Sequence, residues 1–169
     1  MMKCDMGKII LDLPPQPEQG NPRNSEGAFL TREDGVIIFA FSRFKGEDPS
    51  DHAASDICAL YSYDDGNTFG DMKTILTCEG EGAINIMSLS FMHMKNGDIG
   101  LFYLVRENRA SLQMFLRRSG DGGATWGDRV LCTPTDGFFV VNNDRVIRLA
   151  NGDILIPAAC HGAAGDTFG

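Results

Sequence analysis

Positive charge is scarce in this sequence, and a helical period is missing from it. The chain has 15 Lys and Arg against 23 Asp and Glu, a net charge of −8 at pH 7. That balance argues against nucleic acid or an anionic membrane as a partner. Long apolar runs are missing too. The run Ile9-Ile10-Leu11, preceded by Asp5 and Lys8, is too short for a secretory core, and no stretch is long enough to span a membrane. Cysteines number 5: Cys4, Cys58, Cys78, Cys132 and Cys160. The count is odd and no Cys-x-x-Cys occurs, so neither a disulfide framework nor a zinc knuckle is suggested. The inference is a reducing compartment, with the cytoplasm favoured. Cys78 and Cys132 sit at roughly matching places in a repeat and read as small apolar packing residues.

What the sequence does hold is strands and turns. A lead-in over 1–22 is punctuated by Pro14, Pro15, Pro17, Gly20 and Pro22, with a strand expected around Lys8–Leu13. Ala28–Thr31 and Val36–Arg43 flank the turn Glu33-Asp34-Gly35 and read as a hairpin. Asp56–Ser62 and Met72–Thr77 supply two more strands. The order then recurs: Ile86–Met94, the turn Lys95-Asn96-Gly97, Ile99–Arg106, Leu112–Arg118 and Arg129–Cys132. It begins again with Phe138–Leu149, the turn Ala150-Asn151-Gly152, and Asp153–Ala159. The expectation is an all-β chain of four-stranded antiparallel meanders, repeating every 55–62 residues or so.

Within each complete unit the third and fourth strands are joined by one pattern, Ser-x-Asp-x-Gly-x-Thr-aromatic. The first copy carries Ser62, Asp64, Gly66, Thr68 and Phe69; the second carries Ser119, Asp121, Gly123, Thr125 and Trp126. The carboxylate can accept from N–H groups of its own turn. The glycine supplies a backbone angle that other residues avoid. The hydroxyls bond locally, and the aromatic plugs the turn into apolar neighbours. This reads as a structural turn and not as a site.

The two copies resemble the Asp-boxes of sialidases and other BNR-repeat proteins, which are six-bladed β-propellers with four antiparallel strands per blade. The resemblance implies a partial propeller of about two and a half blades: lead-in 1–22, blade one 23–80, blade two 81–135, and the start of a third over 136–169. Two and a half blades cannot close a ring. The remainder is expected from a longer chain, or else from other copies.

Antiparallel order also says where a site would be. Strand-1 starts, strand-2 ends and the 2–3 connections share one edge, and the anchored turns lie at the other. Odd polar residues collect at the first edge. Glu26, Ser88 and Asn143 are equivalent, each nine residues ahead of its turn glycine. Arg43, Arg106-Glu107 and His161 end second strands, and Asp51 and His52 lie in the first 2–3 loop. Asn142-Asn143-Asp144-Arg145 interrupts an otherwise apolar strand and reads equally as part of a site or as a buried structural network.

The resemblance to sialidases implies roles for some of these. Arg23 stands where one arginine of a substrate-binding triad precedes the first strand, followed by Asn24-Ser25 where Ile-Pro is usual. Arg43 matches a second arginine, and Asp51 the acid/base aspartate, with Asp48 the alternative. Asn143, Asp144 and Arg145 are carried as further substrate-binding candidates. A guanidinium fork would hold a sialic-acid carboxylate bidentately. The family's nucleophile is a tyrosine served by a glutamate, both in later blades, as are its other triad arginines; Tyr61, Tyr63 and Tyr103 read as packing or turn residues. The implied activity is retaining, without metal or other cofactor, on a carbohydrate partner. The alternatives are a non-catalytic propeller that binds a glycan or protein, and a glycosidase acting on another sugar.

Overall fold

The computed structural model describes residues 7–161. Cys4 and the expected third unit from residue 162 onward lie outside the described residues. No α-helix occurs among those described. Four strands form the first sheet in sequence order: β1 (Asn24–Thr31), β2 (Ile37–Phe44), β3 (Ser55–Ser62) and β4 (Gly70–Leu76). The second meander repeats it with β5 (Asn85–His93), β6 (Ile99–Asn108), β7 (Ser111–Ser119) and β8 (Val130–Leu131). A third hairpin follows. Its outer part pairs β9 (Phe138–Val140) with β12 (Ala159–His161), and its inner part pairs β10 (Ile147–Arg148) with β11 (Ile154–Leu155). The chain is an all-β partial propeller of stacked meanders.

Two expectations are corrected. The strand around Lys8–Leu13 does not form. With Pro14 and Pro15 behind it the segment lies extended without a ladder, and Leu11 and Leu13 pack against Phe41, Cys58 and Leu60. The single strand over 138–149 is instead two short ones. Val140 pairs Ala159 and Ile147 pairs Leu155, so the polar run Asn142–Arg145 bulges out of the hairpin. Smaller bulges stand at the corresponding places in β1, between Asn24 and Gly27, and in β5, between Met87 and Ser90.

Side-chain alternation explains the stacking. On β6, Leu101, Tyr103 and Val105 face the first sheet, packing with Ala28, Ile38, Ala40, Ile57 and Ala59. Phe102 and Leu104 face the other way, with Met114, Leu116, Val141 and Val146. Both faces of that strand are therefore dry, and each such Leu or Phe contributes about 1.5–3 kcal/mol by burial. Polar pins cross the same interface. Tyr103 donates to Glu81 Oε2 at 2.8 Å, and Arg117 Nε donates to Glu81 Oε1 at 2.9 Å. Burial, then the Glu81 carboxylate, pushes the Tyr103 phenol far above its ordinary value.

The two anchored turns repeat one hydrogen-bond set. In the second, Ser119 donates to Asp121 Oδ1 (2.7 Å), Thr125 Oγ1 donates to Asp121 Oδ2 (2.6 Å), and Thr125 N donates to Asp121 Oδ1 (2.9 Å). Ser119 Oγ accepts from Gly123 N at 2.8 Å, with Gly123 at φ 92°, in the left-handed region. Ser62, Asp64, Gly66 and Thr68 do the same. Phe69 meets Phe29 edge-on and Trp126 stacks on Phe91. The turn edges of neighbouring units touch, because Arg32 donates to Gly122 O at 3.3 Å.

Two predictions follow from this packing. The Thr125 hydroxyl, then its N–H, then Ser119 hold the Asp121 carboxyl well below the ordinary range. A lowered folded-state pKa stabilises the fold above the unfolded value and is lost as pH falls through the folded one. Asp121→Asn is therefore expected to melt below wild type at pH 7, with the gap closing as pH drops below about 4, measured by circular dichroism. At the β1 bulge, a Cβ on Gly27 would lie 1.8 Å from the Ala40 carbonyl oxygen, a backbone atom that cannot step aside. Gly27→Ala should cost about 1–3 kcal/mol or more in urea unfolding.

Candidate functional site

The bulged edge of the sheets encloses a cavity of about 640 Å³. The start of β1 brings Arg23, Asn24, Ser25 and Glu26 to it, and the connection after β2 brings Asp51 and His52. From the second meander come Met87 and Ser88 at the start of β5, and Leu104 and Arg106 at the end of β6. The third hairpin adds Phe138, Asn142, Asn143 and His161. Glu26, Ser88 and Asn143, equivalent by their distance from the turn glycines, thus line one space. No residue of the anchored turns lines it.

Each side chain is held by neighbours. Arg23 donates to Asp51 Oδ1 at 2.5 Å, and its guanidinium lies 3.8 Å over the Phe44 ring. The ion pair is open to water, with Asp51 69% exposed, so it fixes geometry more than it stabilises. The backbone around Asp51 is tied from the second meander. Asn85 Nδ2 donates to Asp51 O (2.7 Å) and Ala53 O (3.1 Å), and Arg106 donates to Asp51 O (3.1 Å) and to His52 Nδ1 (2.5 Å). Ser88 carries φ 53°, a left-handed angle that costs a non-glycine residue about 1–3 kcal/mol. The strain sits at the cavity wall.

Of the sequence-expected site residues, Arg23, Asp51 and Asn143 meet here. Asn143 is also a structural tie, because its Oδ1 accepts from Leu89 N at 3.0 Å. Arg43, Asp144 and Arg145 do not line the cavity. Strand alternation turns Arg43 away from Phe44, onto the face of Phe39 and Phe41. Asp144 (φ 53°) and Arg145 are exposed, and their backbone N–H groups bond to Leu89 O and Ser90 Oγ, so this polar run ties the third hairpin to β5. Asp48 caps its own turn through Ser50.

Sequence reading did not single out Asn85, and it placed Arg106 at the site edge as the end of a second strand without giving it a role. Asn85 carried no signal, being one polar residue before a strand. Arg106 did, as a charge closing an apolar run, Ile99–Val105, and antiparallel order gave its edge, but nothing local foretold its bonds to Asp51 O and His52. A second polar group, Asp56, Cys78 and Glu79, has a ligand-like spread. Lys45 Nζ already sits there, 3.0 Å from Asp56 and 2.8 Å from Glu79. Burial alone would lower the Lys45 pKa, but its bonds to Glu79 and Asp56 outweigh that and leave it above the ordinary value.

No protein-family model matches the sequence, and no curated protein matches it. Solved structures do. A Hadza microbial sialidase aligns with a TM-score of 0.67 at 16% identity, over 85% of this chain and 33% of its own. A protein of unknown function from Dyadobacter fermentans aligns with a TM-score of 0.62 at 17% identity, over 90% of this chain and 47% of its own. At such identities the likeness shows the fold. The chain spans about a third of the one and about half of the other.

Asn85 is the main tie on the Asp51–Ala53 backbone: its loss would strand the buried Ala53 carbonyl and leave Asp51 O to Arg106 alone. Asn85→Ala is expected to lower unfolding free energy by about 1–3 kcal/mol, read from denaturant titration.

Proposed function

We propose that this chain is part of a sialidase-like glycoside hydrolase, a retaining exo-glycosidase that removes a terminal sialic acid or a similar sugar, with the cavity as its site. One observation carries the reading. Arg23 and Asp51, far apart in sequence, form an ion pair in a cavity lined by three successive hairpins, at the edge opposite the anchored turns. The sialidase among the structural neighbours supports the same choice. In this reading 23–80 and 81–135 are two blades and 136–169 begins a third. The rest of the ring comes from further chain or, less simply, from other copies.

The chemistry is coherent with the residues present. A sugar carboxylate competes with Asp51 for the Arg23 fork, which binds such a group bidentately. Its arrival releases the Asp51 side chain toward the glycosidic oxygen. Freed from Arg23, Asp51 takes a proton from solvent and gives it to the leaving oxygen as general acid while a nucleophile from a later blade bonds the anomeric carbon; the Asp51 carboxylate then takes a proton from the water that displaces that nucleophile. Asn143 offers its amide N–H₂, the carbonyl half being taken by Leu89 N. No metal is required by these steps.

Among the described residues no tyrosine lines the cavity. Tyr103 is spent on Glu81 inside the sheet stack. The same cavity also serves a second reading, a non-catalytic propeller that binds a glycan or protein at that mouth. Hydrolysis of a fluorogenic sialoside by the full-length protein decides between them. Turnover is expected, with Asp51→Asn lowering kcat by about 10²–10⁴-fold at unchanged melting temperature. A folded wild-type protein that turns over no sialoside removes the hydrolase and leaves the binder.

A further inference from the structure

The connection that carries Asp51 has few ties of its own. Residues 46–49 are exposed, as are Asp51 and His52. Its local bonds, from Ser50 N to Asp48 Oδ1 at 2.8 Å and from Ala53 N to Ser50 O at 3.1 Å, shape the loop without fixing it to a neighbouring sheet. Within the first meander the Asp51 side chain is held by Arg23. That tie is the one a ligand breaks. In the proposed reaction a sugar carboxylate takes the Arg23 fork just when Asp51 is needed at the glycosidic oxygen. Another contact has to hold the residue then, because a general acid acts only within hydrogen-bond reach of the atom it protonates.

The ties that remain come from the second meander, and Asn85 supplies two of them. It starts β5 opposite Arg106 in the ladder and is buried. Its Nδ2 spans the loop, donating to Asp51 O at 2.7 Å and to Ala53 O at 3.1 Å. Arg106 doubles only the first of these bonds, at 3.1 Å. Two carbonyls demand the N–H₂ half of the amide. The other half is left over: Asn85 Oδ1 is buried without a hydrogen-bond partner among the described residues. An unpaired buried acceptor costs the fold stability, and here it accompanies a clamp on one loop. Asn85 does not line the cavity, whereas Arg106 does. An effect of Asn85 on the reaction therefore travels through the loop it holds.

We propose that Asn85 is a positioning residue for Asp51. From the neighbouring sheet it holds the Asp51–Ala53 backbone while the bound sugar occupies Arg23, so that the freed carboxyl stays in reach of the leaving oxygen. This rests on reading the cavity as a glycosidase site, and it makes the acid of one meander depend on the docking of the next.

The test compares kcat/KM of the full-length wild type and Asn85→Ala on two substrates that share one sugar. An aryl sialoside expels a phenolate, which needs little protonation; sialyllactose expels an alkoxide, which needs a proton from the acid. Because kcat/KM covers the steps up to that departure, a displaced acid is felt by the second substrate alone. Asn85→Ala should lower kcat/KM about 10–100-fold on sialyllactose, and less than about 3-fold on the aryl sialoside. Equal losses on both, or none on either, overturn the assignment. Hydrogen exchange gives a readout that needs no turnover. The amides of 50–53 should exchange as slowly in Arg23→Ala as in wild type, and about tenfold faster or more in Arg23→Ala/Asn85→Ala. Slow exchange that survives both substitutions, or fast exchange in Arg23→Ala alone, overturns the clamp, and the single variant decides if no Asn85 variant folds. The two readings fail separately. A wild type that turns over neither substrate but shows this exchange pattern removes the hydrolase and keeps Asn85 as the clamp. Turnover with equal losses on both substrates keeps the hydrolase and removes Asn85.

Discussion

Sheets that are apolar on both faces have to be stacked, and most of this molecule follows from that one requirement. Strand β6 is the case in point. Leu101, Tyr103 and Val105 are lost to one neighbour, and Phe102 and Leu104 to the other. A single meander could not satisfy it, because one face would always be wet. The second sheet is therefore sandwiched, β5 lies across β1, β2 and β3, and the units line up side by side with the same edges together. The outer face of the first sheet is covered only in part, by Leu11 and Leu13 of the lead-in, and Phe29 stays exposed.

The cavity is a by-product of that alignment. Stacked meanders bring every first-strand start and every second-strand end to one rim, and each first strand breaks its ladder there. The breaks at Asn24–Gly27, at Met87–Ser90 and after Val140 are what open the space, since a regular ladder would carry the strands straight past one another. Clamped backbone sits behind exposed chemistry. The Asp51 loop is exposed, but its backbone is clamped by Asn85 and Arg106, which belong to the next sheet. The other rim does the opposite task. There Asp64 and Asp121 spend most of their acceptor capacity within their own turns.

Much of this was legible in the residues, and the parts that were not have identifiable causes. Spacing from the turn glycines aligned Glu26, Ser88 and Asn143 before any coordinates, because a repeated hairpin preserves that distance. The anchored turns were legible because all their bonds are local. Arg43 was misleading in its promise. A strand-end arginine points to whichever face alternation dictates, and the bulge in β1 follows directly after Asn24, the residue paired with Arg43. The lead-in strand failed to form because strand propensity at Ile9-Ile10-Leu11 needs a neighbour to pair with, and two prolines behind it withhold the donors.

The sequence by itself determined the local grammar: the strands of the two full meanders, where they turn, and that the turns repeat. Those properties depend on residues a few positions apart. Only the tertiary structure decided that Arg23 meets Asp51, that Asn85 and Arg106 hold a loop from another sheet, and that Arg106 is buried without a carboxylate partner among the described residues. Those facts depend on how one twisted sheet lies on the next, and no local pattern encodes the contact between side chains that the stacking alone brings within reach.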